Sequence, residues 1–393
     1  MNRPLILPHW IVTVAVLSSG PRLWSGEPLR YEPKETHLPA TPVAVPMELV
    51  DRLPLVQVKI NGQGPYLFIL DTGASLVALN KPLAGTLKLR PDKSAAVGDS
   101  TGEGGRTVNV VDLQTLELGE ARFAGVEAVV VDLGFVVGGH RTIDGLLSFG
   151  LFADCLLTLD YPASAVTLER GKLLPDKGQE VLRYMKVEGF PRLTLRLADR
   201  TVHLTVDSGS NGCLTLPRSL RQSLTFHAPP VAMGRVQRTQ TDQAAELARV
   251  VGPLKIGRHV VADPLVRLLG NSGIVGNQIL QHFAVTFDQK NAYIRFARQN
   301  AEPITIPPVR SRGFYTEERD GVLVVVEVIA GTEAARLGVK VGDRIMRVDD
   351  RPFAEVGREA WATLWNGDQP LRLTLQRRKE TYDITVPMVE LVP

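Results

Sequence analysis

A chain that repeats itself is expected to fold as one unit twice, and here two separate stretches recur. "DGLLSFGLFADCLLTLD", Asp144 to Asp160, lies on "SGIVGNQILQHFAVTFD", Ser272 to Asp288, without a gap at an offset of 128 residues. Gly145 meets Gly273, Thr158 meets Thr286 and Asp160 meets Asp288, while Leu146, Leu147, Leu151 and Phe152 meet Ile274, Val275, Ile279 and Leu280. After each closing Asp come a turn and an alternating strand, "YPASAVTL" and "QKNAYIRF". The second pair is "FILDTGASLVALN", from Phe68, and "LTVDSGSNGCLTL", from Leu204, aligned at an offset of 136. Each follows an alternating hairpin, the first turning at Asn61–Gly62 and the second at Ala198–Asp199. Residues 45 to 298 therefore read as two copies of one all-β unit.

In each copy an apolar strand finishes on a carboxylate, Asp71 or Asp207. A tight turn is the plain explanation for one such Asp-Thr/Ser-Gly. Duplication supplies a stronger one, because two similar units packed about a pseudo-twofold axis bring equivalent loops together. Asp71 then stands beside Asp207, and two carboxylates that close share one proton: one is the base toward a water, the other donates to a carbonyl oxygen. Gly73 and Gly209 leave room for the facing loop. Thr72 and Ser208 carry hydroxyls able to hydrogen-bond across the axis. Ser210 follows the second triplet where Ala74 follows the first. A hydroxyl donating to a carboxylate favours its ionised form, which places the proton mainly on Asp71. Ser210→Ala should then raise the lower apparent pKa of the pH–rate profile.

These residues resemble the aspartic proteases, both the retroviral homodimer and the pepsin-like single chain. "LDTGAS" and "VDSGSN" look like the two active-site loops, and "IVG", Ile274 to Gly276, looks like the strand that family packs behind them. The resemblance implies a two-lobed β-barrel fold, an aspartic endopeptidase acting on a polypeptide substrate, and a shared-proton pair, Asp71 and Asp207, that requires no metal or organic cofactor. Three places depart from the pattern. Leu146–Leu147–Ser148 has Ser where the family has Gly, Asp207 is followed by Ser instead of the commoner Thr, and no flap tyrosine lies between Leu89 and Val111. "VGDSTGEGGRTVNV", Val97 to Val110, is either a hairpin over the cleft or an ordinary exposed loop.

After "NAEPITIPPVRS", Asn300 to Ser311, a new unit begins. Gly321 to Phe353 reads as a strand, a short helix capped by Thr332 and stopped at Gly338, a turn at Gly342–Asp343 and a second strand. This resembles a PDZ domain of the strand order common in bacterial envelope proteases. The resemblance implies a long helix over Ala354 to Trp365 beside a peptide groove, and a carboxylate-binding loop at Arg312–Gly313–Phe314. Its ligand would be a C-terminal peptide, held by strand addition, and a closed groove on a rigid appendage is the plainer alternative.

The full layout expected is a signal peptide over 1–26, protease lobes over 40–180 and 181–300, a linker over 301–310 and a PDZ domain over 311–393. Its length, 393 residues, suits several domains. At the N-terminus, Arg3 precedes an apolar stretch from Leu5 to Leu17 and small residues Ser18, Ser19 and Gly20. That stretch is shorter than the ~20 residues of a spanning helix, so export to the periplasm or the outside is expected, with a retained N-terminal anchor as the alternative. No later segment is apolar enough for a transmembrane span. With 45 basic and 42 acidic side chains and no basic stripe, nucleic acid is not an expected partner. Cys155 and Cys213 read as small buried hydrophobes, and the scattered histidines lack metal-ligand spacing. The alternative to an enzyme is a catalytically silent scaffold whose β units and PDZ domain only bind polypeptides.

Overall fold

The computed structural model describes residues 15–16, 29–98, 106–133, 136–138, 141–187, 189–237, 242–319 and 321–393. The chain is mainly β, with few and short helices. The expected signal peptide lies almost wholly outside the described residues. None of the described helices is long and apolar enough to cross a membrane.

Alternation of apolar and polar residues makes the hairpins. Leu53–Ile60 and Gln63–Asp71 pair antiparallel around Asn61–Gly62, both at positive φ, as such a two-residue turn requires. Asp71 ends the second strand because the chain there leaves the sheet into the loop Asp71 to Ser75. The strand Gly145–Ser148 then runs parallel to Gln63–Asp71 and antiparallel to Val77–Asn80. Val77–Asn80 lies parallel to Ala121–Val131, which pairs with Arg106–Leu118 and through it with Lys93–Gly98.

The second half has the same order of pairings. Phe190–Leu197 and Arg200–Val206 form the hairpin, and Ile274–Val275 runs parallel to the latter and antiparallel to Leu214–Leu216. Leu214–Leu216 is parallel to Leu265–Leu268, followed by Asp242–Arg249 and Val231–Gln237. The last two form a second long hairpin, matching Lys93–Gly98 with Arg106–Leu118, that the sequence reading did not single out. The Gly-rich stretch Val97 to Val110 does fold back as a hairpin, but its tip, residues 99–105, lies outside the described residues.

A third sheet ties the halves together. Its two central strands, Leu156–Asp160 and Ala284–Asp288, are the repeated segments themselves, antiparallel with Thr158 opposite Thr286 and their hydroxyls 2.9 Å apart. Equivalent residues meet each other only on a local twofold axis, so that axis passes between these threonines. A continuous apolar core runs from Val56 and Phe68 through Phe149, Phe152 and Phe287 to Leu204, Val206 and Phe283. Cys155 and Cys213 are free thiols in it, both pushed up to about 12 by burial.

The segment expected to be a linker is held in place. Ile304–Thr305 adds a parallel strand to His259–Ala262, with Ile304 and Ile306 buried. Val309–Ser311 pairs with the closing strand Val389–Val392, and the Arg249 guanidinium meets the terminal residue Pro393. Beyond it, the strands Phe314–Arg319, Val322–Val328, Arg344–Val348, Leu371–Arg377 and Glu380–Val386 follow in that order across a sheet, with Phe314–Arg319 at one edge. The expected long helix starts four residues late, at Arg358: Phe353–Glu355 is a single 3-10 turn and Val356 is extended, with Gly357 at the helix start. Thr332 sits before the helix Glu333–Arg336, but its hydroxyl donates back to Ile329 O at 2.7 Å instead of capping.

Candidate active site

The two loops that end the strands at Asp71 and Asp207 face each other at the centre of the molecule, and both aspartates are buried. Reciprocal bonds lock them. Thr72 Oγ1 donates to Val206 O at 2.7 Å and accepts the Ser208 N–H at 3.0 Å. Ser208 Oγ donates to Leu70 O at 2.7 Å and accepts the Thr72 N–H at 3.0 Å. Each hydroxyl thus satisfies one amide and one carbonyl of the opposite half. Four buried cross-bonds fix the loops in position and orientation, which neither strand end achieves alone.

Glycine at the third position is required by contact. A Cβ on Gly73 would lie 2.6 Å from the Asp207 carboxyl carbon, so the second carboxylate rests directly against the first loop. The Gly73 N–H donates to Asp71 Oδ1 at 2.9 Å and the Gly209 N–H to Asp207 Oδ1 at 2.8 Å. Oδ2 of Asp71 is buried and receives no N–H or hydroxyl donor, and the Asp71 carboxyl hydrogen-bonds with that of Asp207. Burial first, and then the charge of Asp207, hold the Asp71 carboxyl well above the usual carboxylate range. A protonated Asp71 beside the Asp207 carboxylate is chemically able to activate a water and protonate a carbonyl oxygen together.

Residues absent from the sequence reading brace the loops from behind. Tyr161 Oη donates to Asn277 Oδ1 at 2.6 Å, and Asn277 Nδ2 donates to Ser208 O at 2.7 Å. Burial, followed by the charge of Asp207, keeps the Tyr161 phenol protonated. Gln289 Nε2 reaches Phe149 O at 2.6 Å in the opposite direction. The 128-residue offset that aligns Thr158 with Thr286 also aligns Tyr161 with Gln289 and Phe149 with Asn277. The repeat carried the signal, but the paired residues differ in type and so passed unremarked. Arg52, from a turn in the first half, donates through Nε to Asn211 O beside the second loop at 2.9 Å. Ser210 is buried against Gly276, where an added Cβ would lie 2.9 Å from its Oγ.

In the loop expected to bind a chain-end carboxylate, the side chains are taken up inside the C-terminal unit. Arg312 is buried, and its guanidinium donates to the carbonyls of Trp365, Val386, Leu364, Gly367 and Gln369, closing the end of the helix Arg358–Asn366. The Gly313 N–H donates to Ser311 Oγ at 3.0 Å, and Phe314 packs edge-on against Trp365. The Arg312 and Phe314 side chains are thus both buried within the C-terminal unit. Among the described residues no cluster of His, Cys, Asp and Glu has the geometry to hold a metal ion.

Residues 56–150 match the family model described as aspartyl protease. The match runs from within the hairpin that delivers Asp71 to just past the strand Gly145–Ser148, so it takes in Asp71, Thr72 and Gly73. This part of the chain is therefore similar to an aspartyl protease domain, which suggests a proteolytic hydrolase acting on polypeptide. No curated protein matches the chain.

Proposed function

We propose that the chain is a single-chain aspartic endopeptidase, with lobes over 40–180 and 181–300 derived by duplication and a PDZ domain over 311–393. The observation that carries the reading is the reciprocal Thr72–Ser208 grip, which sets two buried aspartates from two similarly connected sheets against each other. Asp207 takes a proton from a water as that water attacks the peptide carbonyl, and Asp71 gives its proton to the carbonyl oxygen. Collapse of the resulting diol returns a proton to the leaving amine and resets the pair. The substrate lies extended across the cleft between the lobes.

The PDZ domain recruits a substrate or partner tail. Its free edge strand, Phe314–Arg319, suits strand addition, while Arg312 supports the fold without touching the ligand. Export to the cell envelope remains part of this proposal. Incubating the protein with a diverse peptide mixture from acid to neutral pH, and reading new termini by mass spectrometry, tests it. Wild type should cleave, and Asp71→Asn should lose at least about a thousandfold in rate. Wild type as inert as the variant, with its fold intact, would favour the polypeptide-binding scaffold instead.

A further inference from the structure

The two halves differ at one paired position beside the aspartates. In the second half the strand facing the loop ends in Gly276, where an added Cβ would lie 2.6 Å from Gly212 O, 2.7 Å from Ser210 O and 2.9 Å from Ser210 Oγ. The Ser210 side chain and backbone leave no room there. In the first half the loop residue is Ala74, which has no hydroxyl, and the strand residue is Ser148. The backbone fixes the correspondence: Phe149 N–H donates to Ala74 O at 3.0 Å just as Asn277 N–H donates to Ser210 O at 2.8 Å. One half brings its hydroxyl on the loop, and the other brings it on the strand.

Ser148 is the register partner of Asp71 in parallel strands. Register partners project from the same face of a sheet, about 5 Å apart. Ser148 is fully buried and its Oγ has no hydrogen-bond partner, and buried Asp71 Oδ2 receives no N–H or hydroxyl donor, the Asp71 carboxyl bonding instead with that of Asp207. A buried hydroxyl with no partner costs about 1–3 kcal/mol, so alanine would be the better residue if packing were all that mattered. Two such atoms on adjoining residues imply one function.

We propose that Ser148 is the positioning residue of Asp71, its hydroxyl turning about χ1 to donate to Oδ2 whenever Asp71 gives up its proton. No covalent bond of Ser148 changes. The proton leaves Asp71 for the substrate carbonyl or for solvent, and the Ser148 O–H bond stays intact while it stabilises the carboxylate left behind. The proposal rests on the peptidase reading only in taking Asp71 as the acid of the pair. It also separates the two serines: the acid limb is where the sequence led us to expect Ser210 to act, and Ser148 acts on the basic limb, where the shared proton is finally lost.

The test is a carbon-13 NMR titration of protein labelled at the aspartate carboxyls, with Asp71→Asn used for assignment. Ser148→Ala should raise the upper apparent pKa of the pair by about one unit, the size expected for losing a hydrogen bond to a charged group. Ala74→Ser combined with Ser148→Gly moves the hydroxyl to the loop, as in the second half, and should bring the value back toward wild type. An upper titration unmoved in folded Ser148→Ala overturns the proposal, as does a double variant no closer to wild type than Ser148→Ala. Peptide cleavage measured on the same samples separates the two readings. A shifted titration in a protein that cleaves nothing supports the role of Ser148 and sinks the peptidase, whereas cleavage with an unmoved titration sinks the role of Ser148 alone.

Discussion

Asp71 carries a stability cost that its neighbours impose. Burial and the charge of Asp207 raise its folded-state pKa above the unfolded value. Below the unfolded value both states hold the proton and nothing is lost. As pH climbs toward the folded pKa, the unfolded chain ionises while the folded one resists, and stability falls. Asp71→Asn should therefore melt a few degrees above wild type near pH 7, with the gap closing toward about pH 3, as followed by calorimetry. An equal gap at all pH values would mean that some other interaction is responsible. Gly73→Ala acts at the same scale: its methyl would meet the Asp207 carboxyl at 2.6 Å. The expected result is loss of cleavage with only modest loss of overall stability. That glycine makes room for the facing loop was legible in the sequence from the duplication, whereas the atom it makes room for was not.

At the scale of elements, the Thr72 and Ser208 hydroxyls join the ends of two strands that share no hairpin. Each joins one carbonyl and one amide across the interface. Thr72→Val or Ser208→Ala should each destabilise by about 1–3 kcal/mol in urea unfolding. The double variant should lose less than the sum, because one interlocked set is removed twice; strict additivity would show two independent contacts. Ser208 for threonine was read from sequence as a change that keeps the hydroxyl, and its geometry supports this. The helix expected over Ala354 to Trp365 was misread at its start because a run of helix-formers outweighed Gly357 in the sequence, while in the fold Phe353 turns inward to meet Trp361 and the helix begins only at Arg358.

For the whole molecule, the C-terminal unit is stapled at both of its ends. Ile304 and Ile306 enter the core of the second half, and Val392 returns to it from the chain terminus. Proline content marked residues 300 to 311 as a linker, but burial of two isoleucines makes them part of a sheet. Within that unit Arg312 holds five carbonyls of the segment from Leu364 to Val386. Arg312→Met removes their donor and should cost about 3–5 kcal/mol, seen as faster hydrogen exchange over 358–386 while protection around Asp71 stays unchanged. Uniform loss across the chain would show instead that the unit unfolds together with the rest.

By itself the sequence determined the hairpins and the turns that carry Asp71 and Asp207, because local alternation, turn residues and self-similarity are properties of short stretches. Only the tertiary structure decided what each polar side chain meets. The Arg312 guanidinium clamps five carbonyls, which no nearby sequence announced; Ser148 stood out in the sequence only as a departure, while Tyr161, Asn277 and Gln289 looked ordinary, and all four of the latter stand behind the aspartates. The reason is physical: a hydrogen-bond partner or a neighbouring charge 100 or more residues away is set by how sheets pack about an axis, and no window of sequence contains both members of such a pair.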